Sequence, residues 1–211
     1  MKEIREGLEA ALAAKVKRNF LQSVEMIVNF RGVDFKKNRL TISINLPKGK
    51  GKPNNIVVVA DEATVYKLKN SGLEIKYLLK PEEISNVNIK DIKKIARRGI
   101  FYVMPQFIPN VAKVWGKILG SRGNTILPLI GDPIKLVESA KNIVRFSSRG
   151  KFLPTAQFTI GAENMSIDDL YDNAMAIIEE LDKKKLRSNI RSIYFKLSMS
   201  PPVKVKMGET Q

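Results

Sequence analysis

The sequence predicts an α+β domain assembled from both chain ends and interrupted by an inserted, doubly wound α/β domain. Three observations predict it. Strands and helices alternate from about residue 55 to 145, the pattern of a parallel sheet with crossover helices. The strand-like segments of the first and last thirds lack partners of their own, so each supplies the other. Short turn-forming stretches flank the alternating region, Gly/Pro/Lys-rich over 47–53 and Ser-Ser-Arg-Gly over 147–150. The terminal domain is therefore 1–54 with 148–211, the inserted domain is 55–147, and a two-strand hinge joins them.

Each element follows in order. Ile4, Leu8, Ala11 and Leu12 recur at helical spacing. Val24, Met26, Val28 and Phe30 alternate with Glu25, Ile27 and Asn29, which reads as a strand, and 41–46 alternates likewise. The basic connection Arg31 to Arg39 joins them. Ile56 to Ala60 is a continuous apolar run, as in a strand buried on both faces. A helix over 63–69, a strand over 75–79, a helix over 89–98, a strand over 100–104 and helices over 108–119 and 133–142 complete the inserted domain. Residues 157–160 read as a strand. Ser166 caps a helix to about Leu181, with Asp168 and Asp169 at its positive end. Strand 192–197 runs into Ser198-Met-Ser-Pro-Pro202, and 203–207 follows.

Composition narrows the function. The 211 residues carry 37 Lys and Arg against 21 Asp and Glu, a formal net charge of +16, with no His and no Cys. Such an excess is an electrostatic footprint for phosphate. Without His, acid–base catalysis at neutral pH lacks its usual group. Without Cys or His, zinc and haem lose their usual ligands, so no metal or other cofactor is expected. Hydrophobic residues make up 44%, enough to build cores. No apolar run approaches a membrane span, and Met1-Lys-Glu-Ile-Arg-Glu lacks the apolar core of a secretory signal. A soluble, cytoplasmic protein that is monomeric when free is expected.

The charge is unevenly placed. Residues 15–53 hold ten basic and two acidic side chains, and 183–206 hold eight basic and none acidic. Residues 163–182 hold seven acidic and no basic ones. This polarity orients a polyanion as well as attracting it.

One segment invites a nucleotide-site reading: Gly116-Lys-Ile-Leu-Gly120-Ser-Arg122-Gly123-Asn-Thr-Ile-Leu-Pro128. A dinucleotide fingerprint needs its glycines directly after a strand, at a helix N-terminus. Here they follow a helix and end it, which is a capping role. The spacing of a phosphate-binding P-loop is also absent.

That segment, with Met104-Pro-Gln-Phe-Ile-Pro109 before it, resembles the signature of the ribosomal protein "L-one" family, found on the mobile lateral stalk of the large ribosomal subunit. The resemblance extends along the chain. Lys17-Arg-Asn-Phe20-Leu-Gln-Ser23-Val-Glu25, Leu46-Pro-Lys-Gly-Lys-Gly-Lys52 and Ser192-Ile-Tyr-Phe-Lys-Leu-Ser198-Met199-Ser-Pro201-Pro-Val-Lys204 are similar to family segments in the same order. The first looks archaeal in type. The resemblance implies that the inserted domain is Rossmann-like and that the terminal domain binds a bent region of large-subunit rRNA. It also implies contact with deacylated tRNA on the ribosome and repression of the protein's own mRNA.

By position, the resemblance carries RNA contacts to Phe20, Ser23, Glu25, Ser192, Ser198, Met199, Ser200 and Pro201. Irregular RNA is recognised through shape, 2′-hydroxyls and phosphates. Phe20 offers an apolar face to a sugar or base, or else belongs to the core. Ser23 and Glu25 share a strand face. Glu25 accepts from 2′-hydroxyls or base amino groups, or orients a neighbouring Arg. Met199 contacts RNA or packs its own turn. Ser200 stands where the family usually has Gly, so either the turn has negative φ or its contacts shift. Charge placement adds Lys36, Lys37, Lys48, Lys50, Lys52, Arg149 and Lys204 as phosphate contacts, each equally readable as solvated surface. The Arg122-Gly123 loop is a candidate contact for tRNA or a second RNA element. Trp115 and Met104–Pro109 read as core and loop of the inserted domain. Two rival functions remain: a nucleotide-dependent enzyme using the α/β domain, and a non-specific basic packaging protein.

Overall fold

The computed structural model describes residues 2–148 and 153–206. The chain divides into two compact units, 1–52 with 143–211, and 53–142.

The terminal unit is built on an antiparallel four-stranded sheet, in the order β10-β9-β1-β8. Its strands are β1 (Ser23–Phe30), β8 (Thr155–Ala162), β9 (Ile190–Leu197) and β10 (Val203–Lys204). Strand β1 lies in the middle, antiparallel to both β8 and β9. Its alternation puts Val24, Met26, Val28 and Phe30 in the core, as the period-2 pattern predicts. Helices α1 (Lys2–Ala13) and α6 (Ile167–Lys183) pack on the inner face. Leu170, Ala174, Ile177 and Leu181 form the apolar stripe of α6, and Leu8 and Ala11 that of α1. Ser166 caps α6 by accepting from Asp169 N–H at 3.1 Å.

A two-stranded ribbon pairs β2 (Thr41–Asn45) with β7 (Ile143–Ser147). Residues 143–147 were expected to close the inserted domain. They instead pair with β2, register Thr41↔Ser147, and bury Val144 and Phe146 in the terminal core. The boundary therefore falls at 142 rather than 147, and at 52 rather than 54. Phe146 continues an aromatic chain from Phe30 and Phe35 to Phe158.

The second unit carries a parallel sheet in the order β4-β3-β5-β6: β3 (Ile56–Val59), β4 (Tyr77–Leu79), β5 (Ile100–Val103) and β6 (Ile126–Pro128). Strands β3 and β5 are buried throughout, as expected of parallel strands covered on both faces. Helices α2 (Glu62–Asn70), α3 (Ile89–Ile95), α4 (Ile108–Ser121) and α5 (Pro133–Ala140) complete it. Trp115 is fully buried edge-on to Phe101, which agrees with its reading as core.

The glycine segment ends α4 as its position predicts. Gly123 has φ +68°, and Asn124 N–H donates to Leu119 C=O at 2.9 Å, closing the last turn. Asn124 is buried, and its amide donates to Ala96 C=O at 3.1 Å and Gly99 C=O at 2.7 Å. The first helix after the first parallel strand, where a pyrophosphate would sit, is capped by Asp61, whose carboxylate accepts from Thr64 N–H at 3.0 Å. The Asp61 carboxylate thus already takes the N–H that a phosphate would bind, and that helix end does not fit a phosphate; Glu62 beside it is paired with Lys80.

Candidate nucleic-acid interface

One end of the terminal sheet joins two segments far apart in sequence. A network of hydrogen bonds ties the loop before β1 to the turn after β9 and braces the loop itself. Val16 N–H donates to Ser200 Oγ at 3.0 Å, and Met199 N–H donates to Gln22 Oε1 at 3.1 Å. Gln22 Nε2 donates to Val16 C=O at 2.8 Å. Ser23 N–H donates to Ser198 Oγ at 3.2 Å, and Ser198 N–H returns a bond to Ser23 C=O at 3.1 Å. Gln22 is fully buried and bonds in both directions, so the loop and turn form one rigid unit.

This frame holds two apolar side chains in solvent. Phe20 is 51% exposed and Met199 is 53% exposed. Neither is a core or packing residue, which removes those alternatives. Among the described non-glycine residues only Lys185 has positive φ, so Ser200 keeps the turn at negative φ. Its hydroxyl is used as an acceptor for Val16, and the residue is 7% exposed. Ser23 is 8% exposed and contributes its backbone. Pro201 is exposed at the end of the turn. Cations surround this end. Lys17 and Arg18 are exposed in the loop, and Lys52 Nζ donates to Leu21 C=O.

The outer face of the sheet is polar. Glu25 stands opposite Thr159 and Lys196, and Asn29 opposite Thr155 and Ser192. Gln157 Nε2 donates to Glu25 Oε2 at 2.6 Å. Thr155 Oγ1 donates to Asn29 Oδ1 at 2.8 Å, and Asn29 Nδ2 donates to Ser192 Oγ at 3.1 Å. Ser192 is thus 7% exposed and already engaged across the sheet. Of the two roles expected of Glu25, accepting from RNA or orienting an Arg, its protein partner is the Gln157 amide and not an Arg. Lys204, exposed on β10, stands opposite Tyr194.

The remaining lysines separate. Lys48 Nζ lies 3.9 Å from Asp169 and 3.6 Å from Asp172, against the acidic helix. Its N–H donates to Asn173 Oδ1 at 3.0 Å, and Asn173 Nδ2 donates to Gly49 C=O at 2.7 Å and Ile160 C=O at 2.8 Å. This pins the 48–51 loop to the sheet. Gly51 sits so close, at φ +73°, that a Cβ would approach Ala162 Cβ to 2.5 Å. Lys50 is half-buried in the same loop. Lys36 and Lys37 are exposed beyond the other end of β1, whose eight residues span about 24 Å by strand rise. Arg149 lies outside the described residues.

The structure therefore brings Phe20, Ser23, Lys52 and Ser198–Pro201 together, places Glu25, Ser192 and Lys204 on the adjoining strands, and sets Lys36 and Lys37 apart. Sequence reasoning missed Gln22, Asn29, Gln157 and Asn173. The period-2 pattern of β1 puts Asn29 on the face of Glu25, a signal that was available. Gln22 and Asn173 show no such signal, because their partners lie on distant segments.

The ribosomal protein L1p/L10e family model matches residues 11–201. A large ribosomal subunit protein uL1 from Methanothrix thermoacetophila is 35% identical over 215 residues, covering 97% of this chain and 100% of the relative. The protein of the same name from Archaeoglobus fulgidus is 34% identical, covering 95% of each chain. That from Thermofilum pendens is 38% identical over 205 residues, covering 93% of this chain and 89% of the relative.

Proposed function

The chain belongs to the ribosomal protein L1p/L10e family, and on that premise we propose that it is a cytoplasmic constituent of the large ribosomal subunit whose terminal unit binds large-subunit rRNA. One observation carries the reading: the Gln22-braced loop and turn present Phe20 and Met199 to solvent amid Lys17, Arg18 and Lys52. Exposed apolar groups on a rigid, basic frame suit unstacked bases and sugars flanked by phosphates. Nothing in this chemistry needs a catalytic residue or a cofactor.

The finer reading follows from the same premise. The rRNA is the bent stalk region, and the two units are domains joined by a hinge. A similar RNA fold in the protein's own messenger gives translational feedback. Deacylated tRNA meets the second unit, where Arg122 and Gly123 are exposed past the end of α4.

Phe20→Ala and Met199→Ala test the site in the full chain. Loss of one stacking contact is worth about 1–3 kcal/mol, so Phe20→Ala loses about 10-fold in affinity for a stalk rRNA fragment, and Met199→Ala, which removes an apolar thioether contact, also loses affinity. Undiminished affinity in both would refute this site.

A further inference from the structure

Lys36 and Lys37, set apart from the Phe20 end, border a feature that the proposed site leaves unused. Between the β1–β2 loop and the end of α6 lies an open cavity of about 310 Å³. Phe35, Leu40 and Leu186 form its apolar floor, and Asn38, Asn189, Arg39 and Lys184 its polar rim. Phe35 is fixed from below by edge contact with Phe30 and tilted contact with Phe146. Asn189 is held by donating to Arg31 C=O at 3.0 Å.

The electrostatics select a ligand. Of the nearby carboxylates, Asp182 pairs with Arg187 at 3.5 Å, while Asp34 accepts from the Lys36 backbone N–H at 2.8 Å and keeps a single negative charge among several cations. Among the described residues, Arg39 and Lys184 have no carboxylate partner and are exposed. Lys37, Lys185 and Arg31 are also exposed at this end. The cavity thus combines an apolar floor, two side-chain amides and an unneutralised cationic rim, and its volume is at the small end of ligand pockets. A sugar-phosphate without a base leaves the floor bare, and a peptide carboxylate brings charge to the rim but no flat ring to the floor. A single unpaired nucleotide uses all three features.

We infer that this cavity is a second RNA site, taking one unpaired nucleotide of a single-stranded segment, with its phosphate on Arg39 and Lys184 and its base over Leu186 and Leu40, edge toward the Asn38 and Asn189 amides. The inference rests on the RNA-binding reading but not on the Phe20 site.

The test uses the full-length protein and a short single-stranded oligoribonucleotide of mixed sequence. R39E with K184E removes two phosphate contacts and lowers affinity about 10-fold. It flattens the salt dependence by about 0.7 in log–log slope, the value for one phosphate neutralised on a single strand. K90E with K94E makes the same charge change on exposed residues of the second unit and serves as the control. In the wild-type protein, the Asn38 and Asn189 side-chain amide resonances shift on adding the oligonucleotide, and this readout needs no variant. Equal effects of the two reversals, or unmoved amide resonances at saturation, would overturn the inference. Its failure is separable from failure of the stalk reading, which is judged by preference for the stalk fragment over scrambled RNA.

Discussion

Val16 N–H donates to the side-chain oxygen of Ser200 at 3.0 Å, a bond that joins residues 184 positions apart. The two ends of the chain are thereby locked at the proposed RNA site. Ser200→Ala leaves a partly buried N–H without an acceptor and costs about 1 kcal/mol. Ser200→Gly loses the same acceptor and adds backbone freedom, so it destabilises at least as much. Urea denaturation monitored at this unit reads the difference.

Gln22 bonds in both directions from a fully buried position. Gln22→Ala leaves Val16 C=O and Met199 N–H unpaired and costs about 2–3 kcal/mol. Because the frame also orders Met199, affinity for RNA falls together with stability. Amide hydrogen exchange at Met199 and Val16 accelerates, while exchange in the second unit is unchanged.

From within the apolar stripe of α6, Asn173 pins the 48–51 loop with two hydrogen bonds and β8 with a third. Asn173→Leu fits a helix but strands two carbonyls and one N–H. It costs about 3 kcal/mol, read by chemical denaturation.

Lys185 follows the end of α6 at φ 57°, where Leu186 N–H closes the last turn on Leu181 C=O at 2.9 Å. A side chain at this position is strained, and glycine is not. Lys185→Gly stabilises the terminal unit by up to about 1 kcal/mol, visible as a rise in Tm.

In the second unit, hydrogen bonding by Thr64 holds the Asp61 carboxyl below the usual carboxylate range. A group whose folded pKa is depressed contributes stability that is present above its unfolded value and lost as pH falls through the folded one. Stability of this unit therefore declines below about pH 4, the ordinary aspartate range. Asp61→Asn keeps a cap while removing that part of the acid sensitivity. A pH series of denaturation midpoints for the two proteins checks this.

Most elements were legible because periodicity is a local property. The alternation of β1 and the apolar stripe of α6 report their own burial. β6 escaped notice because Ile126–Pro128 is three residues long and ends in proline. β7 was hidden because Ile143–Ser147 follows α5 almost directly, and only its pairing with Thr41–Asn45 assigns it to the terminal unit. The site was partly legible. Phe20 and Met199 stand exposed where the resemblance placed them, whereas Ser192 and Ser200 are spent on internal bonds that no local pattern reveals. Lys48 looked like a free cation because its sequence neighbours are basic. Its spatial neighbours are Asp169 and Asp172.

The most direct test of the central claim is competition binding of the full-length protein at near-physiological salt, with a large-subunit stalk rRNA fragment against a scrambled RNA of equal length. A preference of at least about 1,000-fold for the stalk fragment is expected, the lower end of specific over non-specific binding for protein–DNA recognition, with a sharp fall in that preference for the Phe20→Ala, Met199→Ala double variant. Equal affinity for both RNAs would contradict it and leave only a basic surface that attracts any polyanion.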